Sequence, residues 1–493
     1  MEYSEFLKQK DKLDISAGFL PDSLHSDCHF PFQQDIIKWA LQKGKALIAE
    51  DCGLGKGLQI LEWCHQVHNY TDRPVILFAP PGVKVQFKYE AEKFGFDVNT
   101  VQEQSEIVNG INVTNYERLI VREKINIDAW QDYQHEYASY KPEVERRNKD
   151  ELQVIRFRFN PECFSGITLD EGSILKHYNS KTRERITQFA ENIHFRLVAT
   201  ATPAPNDFFE LANYAEFLGI MSGKQVRAKF FIQDGQTSQK FRIMRPAWKP
   251  FWKWIASWAV MIRNPSDLGY EDSRYTLPVM NEYLITLDDP NLPEGEMFAR
   301  EALGLQEQSR VKRLTVKERC QVAIDLCLGK PVECKHINTG KEIETAIPTD
   351  KRIVVWCERN DESELLARLI PDSIEVSGKH SEEYKEKAFM DFARDKGPRV
   401  MITKPSMGGL GLNWQVCHYA VEVNIEHSYE KMYQADKRLH RFMQENDVNF
   451  FRIAMNTEGN IQASRNRKRK QSDVMYQQIV KEMEIHELNS VKP

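Results

Sequence analysis

Long apolar runs are missing from this chain of 493 residues. Its most apolar stretch, Phe251 to Ile262, is short and broken by Lys253, well under the roughly 20 residues that a membrane-spanning helix needs. No membrane partner is expected. Met1 to Lys12 alternates charged and apolar residues and has no apolar signal region, so we expect a cytoplasmic protein. Tight cysteine pairs are missing too. The nine cysteines are odd in number and scattered, which fits a reducing compartment and argues against a disulfide framework. Cys320, Cys327, Cys334 and His336 come nearest to a metal cluster, but they match no common zinc spacing and read as ordinary thiols. An excess of positive charge is also lacking. At a net charge of -5, binding of nucleic acid would need lysines and arginines gathered along one groove. The one dense basic run, Arg465 to Lys470, is of a kind more often solvated than in contact with a partner.

What is present is a soluble composition, 41% hydrophobic and 28% charged, in a chain too long for one core, so two or three domains are expected. The stretch that organises it begins with Ala46-Leu47-Ile48, passes through Ala49-Glu50-Asp51-Cys52-Gly53-Leu54-Gly55-Lys56-Gly57, and continues into a helical pattern of Leu58, Leu61, Trp63 and Cys64. A strand that ends in a Gly-x-Gly-Lys turn and opens a helix aims backbone N–H groups, the helix dipole and an ammonium at one point. That suits a phosphate chain. The stretch departs from G-x-x-x-x-G-K-[ST] in two places, with Glu50 at the first glycine and Gly57 at the final hydroxyl residue. Alone, it is equally compatible with a plain glycine-rich strand-to-helix turn.

Upstream, Phe30-Pro31-Phe32-Gln33 begins a helix, and the Gln33 amide offers the donor and acceptor that an adenine edge needs; an exposed first-turn glutamine is the alternative. Downstream, Val75 to Ala79 is an apolar strand stopped by Pro80-Pro81, Val83 to about Phe94 a helix, and Ile111 to Tyr116 another strand. Such alternation implies a parallel sheet covered on both sides. Asp128 to Asp150 looks like a surface insertion. Gly166-Ile167-Thr168-Leu169-Asp170-Glu171 is a strand ending in two carboxylates, of which the first can hold Mg²⁺ through water and the second can orient or deprotonate a water. Arg196 to Pro203 is a further strand ending in small hydroxyl residues.

Between about Gly223 and Asp350 the alternation fails, and Trp248, Phe251, Trp252, Trp254 and Trp258 crowd together. This reads as a helical insertion whose aromatics stack on bases or pack into a small core. Lys341 to Asp350 is a polar linker. A second alternating unit follows, with strands at Arg352 to Trp356, Ile374 to Val376 and Arg399 to Thr403 and helices at Glu362 to Leu369 and Glu382 to Phe392. The loop Gly408 to Asn413, the apolar run His418 to Val423 and the segment Tyr433 to Gln444 complete it. Arg438 and Arg441, three apart, fall on one face of a predicted helix. Two guanidinium groups so placed can clamp a γ-phosphate, or form a surface pair balanced by carboxylates. Ser472 to Glu487 reads as an amphipathic helix bracing a lobe.

Together, the loop at Ala49 to Gln59, Leu169-Asp170-Glu171-Gly172-Ser173-Ile174-Leu175-Lys176 and Ala199-Thr200-Ala201-Thr202-Pro203-Ala204-Pro205-Asn206 resemble motifs I, II and III of superfamily 2 helicases, in the Snf2-like branch. The wording of the last two is most similar to Snf2-like proteins of bacteriophages and prophages. Gly408 to Asn413 and Gln434-Ala435-Asp436-Lys437-Arg438-Leu439-His440-Arg441-Phe442-Met443-Gln444 resemble motifs V and VI, with Met443 where a glycine is usual. That change is expected to matter little.

The resemblance implies an α/β protein of two RecA-like parallel-sheet lobes with a helical insertion between them. The expected bounds are 1–222 for the first lobe, 223–345 for the insertion, 346–460 for the second lobe and 461–493 for a basic tail and helix. It implies an ATPase that uses Mg²⁺ and moves on double-stranded DNA in a bacterial or phage-infected cell. In the implied roles, Gln33 reads adenine, and Cys52, Gly53, Leu54, Gly55, Lys56, Gly57 and Gly411 bind nucleotide. Lys56 contacts the β- and γ-phosphates, Asp170 holds Mg²⁺ through water, Glu171 positions the attacking water, and Arg438 with Arg441 complete the site. Thr114, Thr200, Thr202, Thr403, Lys404 and Asn413 couple hydrolysis to nucleic acid. The family generally carries a threonine at position 57 whose hydroxyl ligates Mg²⁺, so weaker Mg²⁺ affinity is expected here, and Gly57→Thr is expected to lower the Mg²⁺ requirement. Two rivals stand beside this reading: a nucleotide-binding scaffold that recruits a nuclease or methyltransferase, and the motor subunit of a restriction-type complex.

Overall fold

The structure is a computed structural model that describes residues 16–80, 83–130, 143–146, 151–176, 180–233, 241–288, 305–407, 413–426 and 428–486. The chain forms two compact units, one of residues 1–271 with 474–493 and the other of residues 272–473.

In the first unit, α1 (Pro31–Lys43) leads into β1 (Lys45–Glu50) and α2 (Lys56–Thr71). Then come β2 (Val75–Ala79), α3 (Val83–Phe94), β3 (Val98–Thr100) and β4 (Ile111–Asn115). β5 (Ile120–Asn126), β6 (Glu143–Arg146) and β7 (Glu151–Phe157) make a small antiparallel sheet, so the polar insertion carries strands of its own. β8 (Gly166–Asp170), α4 (Lys181–Phe189), β9 (Phe195–Thr200) and α5 (Leu211–Phe217) return to the main alternation.

The main sheet has the order β12-β1-β9-β8-β2-β4-β3 and is parallel throughout. Its central strands β2 and β9 are buried along their whole length, as a sheet covered on both faces requires. The register sets Thr200 beside Ala49 and Asp170 beside Ala199. The carboxyl ends of β1, β9 and β8 therefore lie in a row, where open α/β sheets bind ligands.

The stretch 223–345 holds helices α6 (Gly223–Phe230), α7 (Trp248–Ala256), α8 (Leu305–Leu314) and α9 (Val316–Cys327). It also supplies strands to both units: the short hairpin β10 (Phe231–Gln233) and β11 (Phe241–Ile243), then β12 (Ala259–Ile262) on the edge of the first sheet. The first unit thus extends to Glu271 rather than residue 222. Phe251, Trp252 and Trp258 are fully buried and Trp254 nearly so. The aromatic crowd packs edge to face with Phe208 and Phe230, which gives these rings a core role.

In the second unit β13 (Met280–Leu287) is followed, after α8 and α9, by β14 (Val332–His336), β15 (Glu342–Thr345) and β16 (Ile353–Trp356). α10 (Asn360–Leu369), β17 (Ser373–Val376), α11 (Glu382–Ala393), β18 (Val400–Thr403) and β19 (Tyr419–Glu422) follow at the expected places. The chain ends with α12 (Tyr429–Asp436), β20 (Val448–Met455) and α13 (Gly459–His486). The sheet order is β15-β14-β13-β20-β19-β16-β18-β17, with β14 and β15 antiparallel and the rest parallel. Both cores are thus α/β with parallel sheets. Among the described residues no helix is long and apolar enough to cross a membrane.

Candidate functional site

The loop after β1 is shaped by glycine. Gly53 (φ 96°) and Gly55 (φ 86°) are left-handed, the conformation that costs glycine least. They turn the chain so that α2 opens at Lys56, with Gly55 as an N-cap that has no side chain of its own to cap the first turn. The start of such a helix favours negative charge. Gln33 holds the loop from one side: its Oε1 accepts from the Phe30 N–H at 2.9 Å and its Nε2 donates to the Leu54 carbonyl at 2.7 Å. A Cβ on Gly55 would lie 2.3 Å from that Nε2, so glycine is required there for close approach as well as for φ. An amide has two donors and two acceptor sites. Gln33 therefore keeps capacity for a base edge, but in this structure it fastens the loop.

Lys56 turns its ammonium back onto the loop, donating to the Glu50 carbonyl at 2.6 Å and the Asp51 carbonyl at 3.0 Å. Glu50, where the usual pattern has glycine, is fully buried. Gln59 donates to its Oε2 at 2.8 Å, while Oε1 has no hydrogen-bond partner among the described residues. Burial pushes the Glu50 carboxyl up to about 7, against the pull of Lys56 and Gln59.

Asp170 and Glu171 follow at the end of β8. Burial first, and then the Glu171 charge, push the Asp170 carboxyl up to about 7; Glu90 pushes the same way and Lys56 opposes. Tyr116 donates to the Asp170 carbonyl at 2.7 Å and fixes the strand end. Glu171 sits at φ 54° and ψ 60°, a left-handed conformation that is strained for glutamate. That conformation accompanies a specific contact: Thr200 donates its hydroxyl to Glu171 Oε1 at 2.9 Å, and Thr202 N–H donates back to Thr200 Oγ1 at 3.2 Å. The expected second and third motifs are thus directly bonded.

Fit to a nucleotide with Mg²⁺ can be judged from these groups. The ammonium and helix start suit phosphates, and the crowded, under-neutralised carboxylates suit a divalent cation. Among the described residues no three His, Cys, Asp or Glu side chains gather closely enough to hold a metal by themselves. Mg²⁺ bound mainly through substrate phosphates and water needs only one or two protein carboxylates, so the residues present fit it.

The other expected residues divide. Thr114 is fully buried and donates to the Val101 carbonyl at 2.9 Å; Thr403 is its counterpart in the second unit, buried and donating to the Val376 carbonyl at 2.9 Å. Both hydroxyls bond strand ends inside their sheets, as Thr200, also buried, bonds Glu171. Lys404 is half-buried and Asn413 exposed. Gly411 lies outside the described residues. Arg438 and Arg441 belong to the second unit but not to a helix: α12 ends at Asp436, and both arginines lie in the turns that follow. Met443, in the same turns, is left-handed at φ 70°.

Sequence reasoning missed several residues. Arg452 on β20 bonds Glu422 at 3.0 Å, Glu282 at 2.9 Å and Asp436 at 2.7 Å, tying the end of α12 to the sheet. Its signal was an arginine inside the apolar run Phe450-Phe451-Arg452-Ile453. Tyr476 on α13 donates to the Ala201 carbonyl at 3.0 Å, and its ring lies under Arg263. The second half of α13 therefore braces the Thr200 to Thr202 segment, a closer role than the general bracing expected.

Comparison with known proteins accords with this site. Residues 32–236 match the SNF2-related domain. An uncharacterized ATP-dependent helicase of Mycoplasma pneumoniae is 22% identical over 447 residues, covering 86% of this chain and 40% of that protein. TATA-binding protein-associated factor 172 of Homo sapiens is 25% identical over 206 residues, covering 38% of this chain and 10% of that protein. The chain thus spans well under half the length of these relatives. Among solved structures, the Sulfolobus solfataricus SWI2/SNF2 ATPase core in complex with dsDNA is 15% identical with a TM-score of 0.40, covering 95% of this chain and 97% of that one. Closeness to bacteriophage proteins is not part of these findings. The similarity to the SNF2-related domain is confined to residues 32–236, under half of the chain, and the relative from Mycoplasma pneumoniae is named an ATP-dependent helicase.

Proposed function

We propose that the chain is a DNA-dependent ATPase that couples hydrolysis to movement on duplex DNA. One observation carries the reading: at the carboxyl edge of a parallel sheet, the Lys56 loop and the Asp170–Glu171 pair converge, and Glu171 is bonded to Thr200. In this reading Lys56 leaves the Glu50 and Asp51 carbonyls for the phosphates, and the N–H groups from Cys52 to Gly57 cradle them. Asp170 would hold Mg²⁺ through water, and the ion would supply neutralisation of the phosphate charge. Glu171 orients the attacking water, and its bond to Thr200 passes the state of the site to the segment that Tyr476 braces. Arg438 and Arg441 act on charge that develops in the transition state. Thr202, Lys404 and Asn413 remain for contacts to DNA.

The experiment is ATPase rate with no polymer, single-stranded DNA, duplex DNA and RNA, together with triplex displacement from a blunt duplex. We expect duplex DNA to stimulate most, with a rate that falls as salt rises because phosphate contacts release counterions. Arg441→Ala, folded as wild type, should lose on the order of 10³ or more in stimulated turnover while retaining nucleotide binding. Gly57 favours a second reading, a scaffold that binds nucleotide without hydrolysing it. Absence of ATPase with every polymer, alongside intact ATP binding, would establish the scaffold instead.

A further inference from the structure

Gly57 stands where the G-x-x-x-x-G-K-[ST] pattern has a hydroxyl residue, and the structure shows what fills the space of its absent side chain. A Cβ built on Gly57 lies 2.3 Å from Glu90 Oε2, 3.2 Å from Glu90 Cδ and 3.5 Å from Glu90 Oε1. Glu90 stands on α3, half-buried, and its carboxylate lies over the first turn of α2. Any side chain at position 57 displaces it. Glycine at 57 and glutamate at 90 are thus sterically coupled, with a carboxylate of one helix occupying the place of a side chain on its neighbour.

Glu90 lies close enough to Asp170 for its charge, with that of Glu171, to act on that carboxyl, and Lys56 acts on it in the opposite sense. One or two carboxylates are the protein share that a phosphate-bound Mg²⁺ takes.

We propose that the Glu90 carboxylate replaces the absent hydroxyl at position 57, supplying the protein oxygen that faces the nucleotide-bound Mg²⁺ opposite Asp170. The proposal rests on the nucleotide-site reading above. It revises the expectation for Gly57→Thr: the incoming hydroxyl evicts one oxygen donor as it adds another, so the Mg²⁺ requirement should change little.

The test uses the full chain and a fluorescent, non-hydrolysable ATP analogue, titrated once with saturating Mg²⁺ and once with EDTA; the readout is the ratio of the two affinities. In Glu90→Gln this ratio should fall about tenfold or more, the scale of losing a group that holds or orients a metal. Affinity in EDTA should hold or improve, because one negative charge near the phosphates is gone. In Gly57→Thr/Glu90→Gln the threonine hydroxyl should restore the ratio to within a few-fold of wild type, a rescue that a merely structural role for Glu90 does not give. A wild-type ratio in Glu90→Gln overturns the proposal, and so does failure of the double variant to regain it. Binding in the wild type that is unchanged by Lys56→Ala, or absent altogether, overturns the nucleotide-site reading itself, and the proposal with it.

Discussion

Two pairs of buried carboxylates, Glu50 and Glu210 in the first unit and Glu282 and Glu422 in the second, are treated in opposite ways, beside Glu62, which is lowered in the first, and Glu362, which is raised in the second. In the first, Glu50 and Glu210 are held near 7 by burial, and Glu50 keeps an oxygen with no hydrogen-bond partner among the described residues. In the second, Glu282 and Glu422 are as deeply placed, but there the arginines win. Burial would raise both, yet Arg452 and Arg465 pull both below the ordinary carboxylate range, with Arg469 adding to the pull on Glu282. Asp436 is the exception inside that network, pushed up to about 6 by burial despite Arg452. A network whose charges are answered by the chain is structural; a set left under-neutralised at the carboxyl edge of a parallel sheet is arranged for a ligand that brings the missing charge. In the second unit the Arg452 network holds Asp436 at the end of α12, from which the Arg438 to Arg441 turns follow.

The largest effect that tests this division is expected from Arg452→Met. It removes the guanidinium that Glu282, Glu422 and Asp436 share, leaving Arg469 on Glu282 and Arg465 on Glu422, and breaking a buried ion pair from one side typically costs about 3–5 kcal/mol. Urea unfolding should show that loss, and hydrogen exchange should place it in β19, β20 and α12. Glu282→Gln and Glu422→Gln added to Arg452→Met should recover part of it, since two of the charges that lose a partner are then gone. A loss under about 1 kcal/mol for the single variant would mean the network is decorative, and the contrast between the two pairs would fail.

Much of this architecture was legible in the chain. Alternating apolar strands and amphipathic helices gave β1, β2, β4, β8 and β9 of the first sheet and β16, β17 and β18 of the second, while β3, β12, β13, β14, β15 and β20 were not read from the chain. What stayed hidden has physical reasons. β12 is four residues long, Ala259 to Ile262, next to a helix full of tryptophan, and so short an apolar run has no readable period. The stop of α12 at Asp436 is tertiary, because Arg452 holds that carboxylate from a strand whose place in the sheet no local pattern reveals. The bonds of Thr114 and Thr403 were not legible because a hydroxyl at a strand end carries no mark of the carbonyl it bonds. Glu90 carried no signal at all: its meaning depends on which helix face meets Gly57.

A change of pH should separate the units with a smaller effect. Glu50 and Glu210 keep protons in the folded chain up to about 7 that the unfolded chain releases near 4.5. The stability they contribute is therefore full below about 4.5 and is lost as pH rises through about 7. Glu282 and Glu422 run the other way: their contribution is present above about 4.5 and is lost as pH falls through their lowered values. Between pH 6 and pH 8, hydrogen exchange corrected for intrinsic rates should show β1 and β9 losing protection relative to β19 and β20. The difference should be a few kcal/mol at most, at about 1.4 kcal/mol per pKa unit. Glu50→Gln should flatten the trend in β1. Equal slopes in the two units would show that Glu50 and Glu210 are not under-neutralised after all.

The smallest expected effect concerns Met443, where the second unit carries a strain of its own. The relatives' pattern has glycine here, and the sequence reading expected the change to be of little consequence. The structure gives a measure of that expectation: Met443 holds φ 70° with its side chain 71% exposed, so the left-handed backbone is imposed with no packing in return. A left-handed residue with a Cβ costs roughly 1–2 kcal/mol, and glycine escapes that cost but gives back part of it through a more flexible unfolded chain. Met443→Gly should therefore stabilise the second unit by less than about 1 kcal/mol in urea. The turn itself is fixed by neighbours on both sides, Gln444 donating to the Gln415 and Leu439 carbonyls and Phe442 stacking on Tyr275, so the arginines should keep their places and turnover should not change. Destabilisation on Met443→Gly would mean that the methionine makes a contact worth more than its backbone strain. A loss of turnover without loss of stability would mean that the strain itself aims Arg441.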